Sequence, residues 1–263
     1  MNSIRLAFRD LQAALRRHRL WMHLGFAEIR QRYQRSVLGP WWISLSMLIF
    51  ILVMSAVFSR LFHQSLRDYI PFFSAGFLFW TFISTSITEA TEIFKSNSGF
   101  IKQINLPYNL YVFKHLFRHM ICLAHNLVVY LLICAFFRII PSLTWFLLLP
   151  GLAIVLANLY WLCLLVGIIS TRFRDMIPII SSAIQIAFFV TPISWMPKLL
   201  DGYPYLLKLN PFTYLLDLVR SPLLNQTPHL MSWIICLSMA VGGFLICFSV
   251  FTKTRSAVVF WVD

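Results

Sequence analysis

Six stretches of this chain hold no Asp, Glu, Lys or Arg: residues 36–59, 69–88, 119–137, 139–171, 176–197 and 221–252. A helix crossing about 30 Å of hydrocarbon takes about 20 residues, and it satisfies its backbone polar groups internally. Four of the windows fit one span each. Those at 139–171 and 221–252 are too short for two helices and a turn. Each therefore holds one span with an apolar flank, starting near Pro150 and Leu230. The expected fold is an all-α membrane protein with six transmembrane helices, and residues 1–263 form a single transmembrane domain.

The net charge of +13 invites a nucleic-acid reading, but 59% hydrophobic and only 12% charged residues oppose it. A soluble domain needs more polar surface, so no nucleic-acid partner is expected. Distribution explains the charge better. Of the 22 Lys and Arg residues, 16 fall in segments 1–35, 89–118, 172–175 and the tail after 252, which share one side, and 6 fall on the other. The positive-inside rule puts both termini in the cytoplasm, with anionic membrane lipid as a further contact. In "RYQRSVLGPWW", Arg30, Arg32 and Arg35 then lie at the cytoplasmic surface. Gly39-Pro40 is the corner, and Trp41 and Trp42 anchor the first span at the interface.

The five cysteines, at 122, 134, 163, 236 and 247, include no C-x-x-C pair and read as free thiols in apolar runs. Residues 1–35 are studded with arginine and lack the apolar core of a signal peptide.

Three segments do not span. In residues 4–20, Ile4, Phe8, Leu11 and Leu15 share one helix face, and Arg5, Arg9, Gln12 and Arg16 another. This predicts a helix in the membrane interface, with 1–24 as a cytoplasmic interface element. A topological anchor and an element receiving force from a partner fit it equally. The region 89–107 carries Glu89 and Glu92 on one face, a turn signal in "SNSG" and a break at Leu106-Pro107. These confine a short helix near 99–105, either a solvated loop or a handle for another protein. Residues 197–229 hold five of the twelve prolines. There Asn210 is a helix cap, Pro211 the first helical residue, and Asp217 and Arg220 a pair one turn apart. The resulting helix is about 16 Å long and cannot cross the bilayer. It dips into the outer leaflet or lies on it, closing one end.

Chemistry is sparse. No phosphate-binding G-x-x-x-x-G-K-[ST], no G-x-S-x-G and no H-E-x-x-H occurs, so no catalytic residue is assigned. His115 and His119 stand four apart, but Lys114 and Arg118 would repel a cation, and no metal site is expected. The spans lack Asp, Glu, Lys and Arg, which disfavours ion-driven transport. Energy must come from another chain. The spans do hold aromatic residues, and Trp41, Trp42, Phe50, Phe188, Phe189 and Trp195 could line a path against which sugar rings slide.

Together, "RYQRSVLGPWW", "FIKQINLPYNLYVFKHL" and "NPFTYLLDLVRSPLL" resemble the signatures of membrane subunits of type-2 ABC exporters. The branch is the one moving polysaccharides: O-antigen, capsule and teichoic acid permeases. The resemblance covers about residues 20–260. It implies a homodimer in the bacterial inner membrane, joined to two copies of a separate nucleotide-binding subunit that binds ATP and Mg; the chain itself would carry no cofactor. It implies that Phe100, Ile101, Lys102, Gln103, Ile104 and Asn105 form a coupling helix on that ATPase. Charged replacements of Ile101 and Ile104 would then uncouple transport. Residues 197–229 become re-entrant periplasmic gate helices, with Pro211, Phe212, Tyr214, Asp217 and Arg220 at the gate. The implied cargo is a glycan on undecaprenyl diphosphate, whose diphosphate would suit Arg30, Arg32 and Arg35; topology explains those arginines as well. An exporter of another lipid or small molecule, and a membrane enzyme acting on polyprenyl phosphates, stand as alternatives.

Overall fold

The computed structural model describes every residue except 1, 35, 37, 38, 40, 198–203 and 263, and leaves the side chains of 2, 204 and 206 undescribed. All regular structure among the described residues is helical. Five helices are long and apolar enough to cross a membrane. They are α3 (Trp41–Leu61), α4 (Leu66–Ala90), α6 (Tyr108–Phe137), α7 (Leu148–Arg172, entered through a 3-10 turn at Leu143–Leu147) and α11 (Leu230–Thr254). Pro150 falls in the first turn of α7, where its missing N–H costs nothing.

α4 is the centre of the bundle. It is 72% buried over its apolar window, against 22–39% for the other four, and it packs on α3, α6, α7, α8 and α10. Such a difference marks α4 as protein-facing all round, while the others turn an apolar side outward as a lipid-exposed helix must. The cap of α4 was not foreseen. Ser65 accepts from the Asp68 amide at 3.2 Å and donates to the Asp68 carboxylate at 2.6 Å.

Window 176–197 differs from a full span. Its helix, α8 (Met176–Val190), has 15 residues, about 22 Å at 1.5 Å each. Pro192 is the cause, because the residue before a proline is pushed out of the helical region. Thr191 is extended, at φ −84° and ψ 136°. The following turn is pinned rather than loose: Tyr69 donates to the Ser194 carbonyl, Arg220 to that of Pro192 at 2.5 Å, and Asn210 Nδ2 to Thr191 Oγ1 at 2.9 Å.

The single helix expected over 1–24 is two: α1 (Asn2–Arg16) and α2 (His18–Arg32), divided at Arg17, whose backbone leaves the helical region at φ −91° and ψ 35°. On α1 the face turned to the protein is Ala7, Asp10 and Ala14, packed on α6 and α11. The Ile4, Phe8 and Leu15 stripe is more than half exposed, as a membrane-facing stripe would be. α5 (Ser98–Gln103), α9 (Pro204–Leu209), α10 (Pro211–Leu223) and α12 (Val258–Trp261) complete the chain. One end of the bundle thus carries both termini, α1, α2 and α5; the opposite end carries α9 and α10.

Candidate functional site

The end bearing the termini is organised by one guanidinium. Arg118 of α6 reaches Glu28 of α2 at 2.6 Å and Glu89 of α4 at 2.5 Å. Lys114, one turn earlier, reaches Glu28 at 2.9 Å and Asn97 at 2.8 Å. Arg32 stands 3.7 Å from Glu89. Three helices and the loop leading into α5 are therefore joined through charges on a single face of α6. Burial alone would raise the Glu28 carboxyl. The Lys114 hydrogen bond and the charges of Arg118, Lys114 and Arg32 outweigh it and hold it below the usual carboxylate range. The expected histidine pair lies inside this network. His115 contacts the Ser86 carbonyl at 2.9 Å and His119 lies 3.5 Å from Glu89, while Arg118 sits 3.2–3.3 Å from a ring nitrogen of each. The place a metal would take between the rings is held by a cation. Around the network lies a cavity of about 470 Å³.

The same end carries the segment expected to be a handle, and its side chains divide in a way the sequence did not show. α5 ends at Gln103, so Ile104 and Asn105 lie beyond it and Ile104 is extended. Ile101 is 8% exposed and belongs to the core, whereas Phe100 is 50% and Ile104 48% exposed. Lys102, Gln103 and Asn105 are exposed beside them. A charge at Ile101 would damage the support of the handle, so only Phe100 and Ile104 test its outer face. The support is firm: Asn97 Nδ2 donates to the Ile93 carbonyl at 2.6 Å, and Phe94 is fully buried against Tyr108 and Gly167.

Asp10 is the residue that sequence reasoning missed. Its carboxylate accepts from the backbone N–H of Tyr108 (3.1 Å) and Asn109 (3.0 Å), and from Asn109 Nδ2 (2.8 Å). It thereby caps α6 from a hundred residues away, where the negative charge also suits the helix dipole. It also meets Arg255 Nε at 3.2 Å. The signal available was a lone acid in an arginine-rich helix, on the same face as Ala7 and Ala14.

At the opposite end, α10 is inserted into the bundle rather than laid upon it. Residues 215–223 are buried between α4, α7 and α11. Gly151 permits the approach, since a Cβ there would stand 2.5 Å from the Leu218 carbonyl oxygen. Asn210 caps α10 as expected, accepting from the Phe212 amide at 3.0 Å, and Pro211 opens it. Asp217 and Arg220 do not serve each other as the expected pair. Asp217 accepts from Ser221 Oγ, Ser232 Oγ and the His229 amide at 2.5–2.9 Å, capping α11. Arg220 binds the Pro192 carbonyl and lies over the Phe72 ring at 4.7 Å. Spacing made them neighbours, but the helix ends claimed them separately. Phe212 packs edge-on to Trp80, and the Tyr214 hydroxyl donates to the Lys208 carbonyl.

The aromatic candidates fall in two groups, one on α3 and one on α8 with the turn after it, and each group touches α4. Phe50 of α3 stacks on Phe77 of α4 at 4.5 Å, with Trp41 and Trp42 half-exposed nearer the α2 end. Phe188 of α8 meets Trp80 of α4 at 5.9 Å, Phe189 is 66% exposed, and Trp195 donates to the Phe189 carbonyl. The same helix carries hydroxyls, Thr81, Ser84, Thr85 and Thr88, at helical spacing and only partly buried. Arg30 and Arg32 are exposed on α2; Arg35 lies outside the described residues.

Comparison with known proteins gives the family. Residues 19–224 match the family model described as ABC-2 type transporter. Two O-antigen export system permease proteins RfbA of Klebsiella pneumoniae are 22% and 21% identical, over 76% and 75% of this chain and 78% and 77% of theirs. Another RfbA, of Myxococcus xanthus, is 23% identical over 63% of this chain and 64% of its own length. A match across four-fifths of the chain, from α2 through α10, takes in both ends of the bundle just described, and the chain belongs to the ABC-2 type transporter family.

Proposed function

We propose that this chain is the membrane subunit of an ATP-driven exporter that carries a lipid-linked polysaccharide of O-antigen type across the bacterial inner membrane. The observation that carries this is the likeness to O-antigen export permeases over three-quarters of the chain, at matching length. Two copies assemble, each joined to a nucleotide-binding subunit that supplies ATP and Mg. Both termini face the cytoplasm, so the α10 end faces out. α8 with the pinned turn Thr191–Trp195 makes the sixth crossing, its short length made up by the inserted α10.

The mechanism follows from what is rigidly joined to what. The ATPase grips Phe100 and Ile104. Because Asn97 is tied to Lys114, and Lys114 and Arg118 to Glu28, a push on α5 moves α2 and the start of α6 together. α2 holds Arg30 and Arg32, which with Arg35 receive the diphosphate of the undecaprenyl carrier; guanidinium forks match phosphate oxygens. The glycan then slides past Trp41, Trp42 and Phe50 on one wall and Phe188, Phe189 and Trp195 on the other. Apolar sugar faces stack there while their hydroxyls meet the α4 stripe. Pro211, Phe212, Tyr214, Asp217 and Arg220 close the outer end.

The test is Phe100→Glu with Ile104→Glu. Both side chains are about half exposed, so thermal stability of the purified chain stays within about 0.5 kcal/mol. Co-purification of the nucleotide-binding subunit and surface O-antigen are both lost. Retention of both by the double variant moves the docking site elsewhere.

A further inference from the structure

At the α10 end lies a cavity of about 1340 Å³ between the start of α4, the end of α6, α10 and the start of α11. Four of the six basic residues that the sequence places at this end line it: Arg67, Arg138, Lys208 and Arg220. Both carboxylates in its wall are committed as helix caps, Asp68 to Ser65 and Asp217 to Ser221, Ser232 and the His229 amide. Among the described residues none of the four cations pairs with a carboxylate within 4 Å, and Arg220 has the Phe72 ring beside it at 4.7 Å. Arg220 is only 7% exposed, yet among the described residues its guanidinium makes one hydrogen bond, to the Pro192 carbonyl. A buried guanidinium with idle donors is costly unless something occupies them. Thr213 Oγ1, in the same wall, is buried without a partner among the described residues. The remaining lining is apolar, including Phe72, Phe137, Met231 and Ile235, and Met231 is 64% exposed.

We infer that this cavity binds the phosphate head of a lipid. Arg220 and Arg138 hold the oxyanion, Arg67 and Lys208 neutralise its charge, and the chain leaves along the apolar wall. Arginine forks suit a phosphate better than a single carboxylate pair, and a lipid satisfies both halves of the lining. Two carriers of that chemistry reach an outward face: the polyprenyl phosphate of the proposed cargo and a bulk anionic phospholipid. Naming the first rests on the export reading; the site itself does not.

The probe is the full-length chain with Arg30→Gln and Arg32→Gln, which weakens the other phosphate contact, in phosphatidylcholine nanodiscs. Native mass spectrometry follows added polyprenyl monophosphate, phosphatidylglycerol or inorganic phosphate. Adding Arg67→Gln and Arg138→Asn weakens lipid binding at least tenfold. Both changes suit the fold, because Arg67 is exposed and the left-handed backbone at 138 (φ 56°) favours asparagine. Preference for polyprenyl phosphate assigns the site to the carrier, and preference for phosphatidylglycerol assigns it to bulk lipid; either supports the proposal. Unchanged lipid binding in the fourfold variant overturns it, as does competition by inorganic phosphate without lipid preference, the mark of an adventitious ion only. No ATPase enters the measurement, so a failure of the export reading shows separately, as lost transport with lipid binding intact.

Discussion

At the scale of single residues, the strongest case is Asp10. One carboxylate serves two backbone N–H groups, one amide and one arginine, and it is 4% exposed. Asp10→Ala leaves the first turn of α6 without its acceptors and Arg255 without its partner. Removing hydrogen bonds to a charged group costs about 1–3 kcal/mol each. The expected result is a clear drop in the thermal midpoint of the purified chain, with membrane insertion retained. Glu28 gives a pH-dependent counterpart. Its carboxyl is held below the usual range, so its ion pairs contribute fully above that range. They are lost as pH falls through the depressed value. Glu28→Gln is therefore already weakened at neutral pH and loses less on acidification, which melting curves between neutral and acidic pH will compare.

At the scale of elements, position in the bundle matters more than amphipathic pattern. α10 has a cap, a proline start and an apolar face, and all three were legible. Its depth was not, because depth depends on Gly151 of α7, a residue without a side chain to read. Gly151→Ala places a methyl 2.5 Å from a backbone oxygen, and overpacking of that kind costs about 1–3 kcal/mol. Lower thermal stability together with reduced export is expected, whereas Gly242→Ala, which meets open space, should leave both unchanged. α1 teaches the same lesson. Its apolar stripe was visible, but the face that meets protein is built from two alanines and an acid, which hydrophobic periodicity passes over. The segment around α5 shows it again. Phe100, Ile101 and Ile104 look alike in sequence, and only packing separates the buried anchor from the exposed tips.

At the scale of the whole molecule, charge-free windows and arginine bias made the class, the long helices and the two-ended layout legible, because lipid imposes a simple rule on composition. Pairings across distance were hidden. Arg118 with Glu28 and Glu89, and Asp217 with the start of α11, join residues whose separation in the chain carries no periodic signal. The short α8 was within reach of sequence, since Pro192 alone stops it, but an uninterrupted apolar window concealed the break. The Asp10–Arg255 contact has one more consequence, for biogenesis. The two residues are 245 positions apart, so this ion pair closes only after α11 has been made, whereas the Asp10 bonds to Tyr108 and Asn109 need only the start of α6. α1 is thus seated on α6 first and locked to the end of α11 later, two fastenings that α7 and α8 must separate in time.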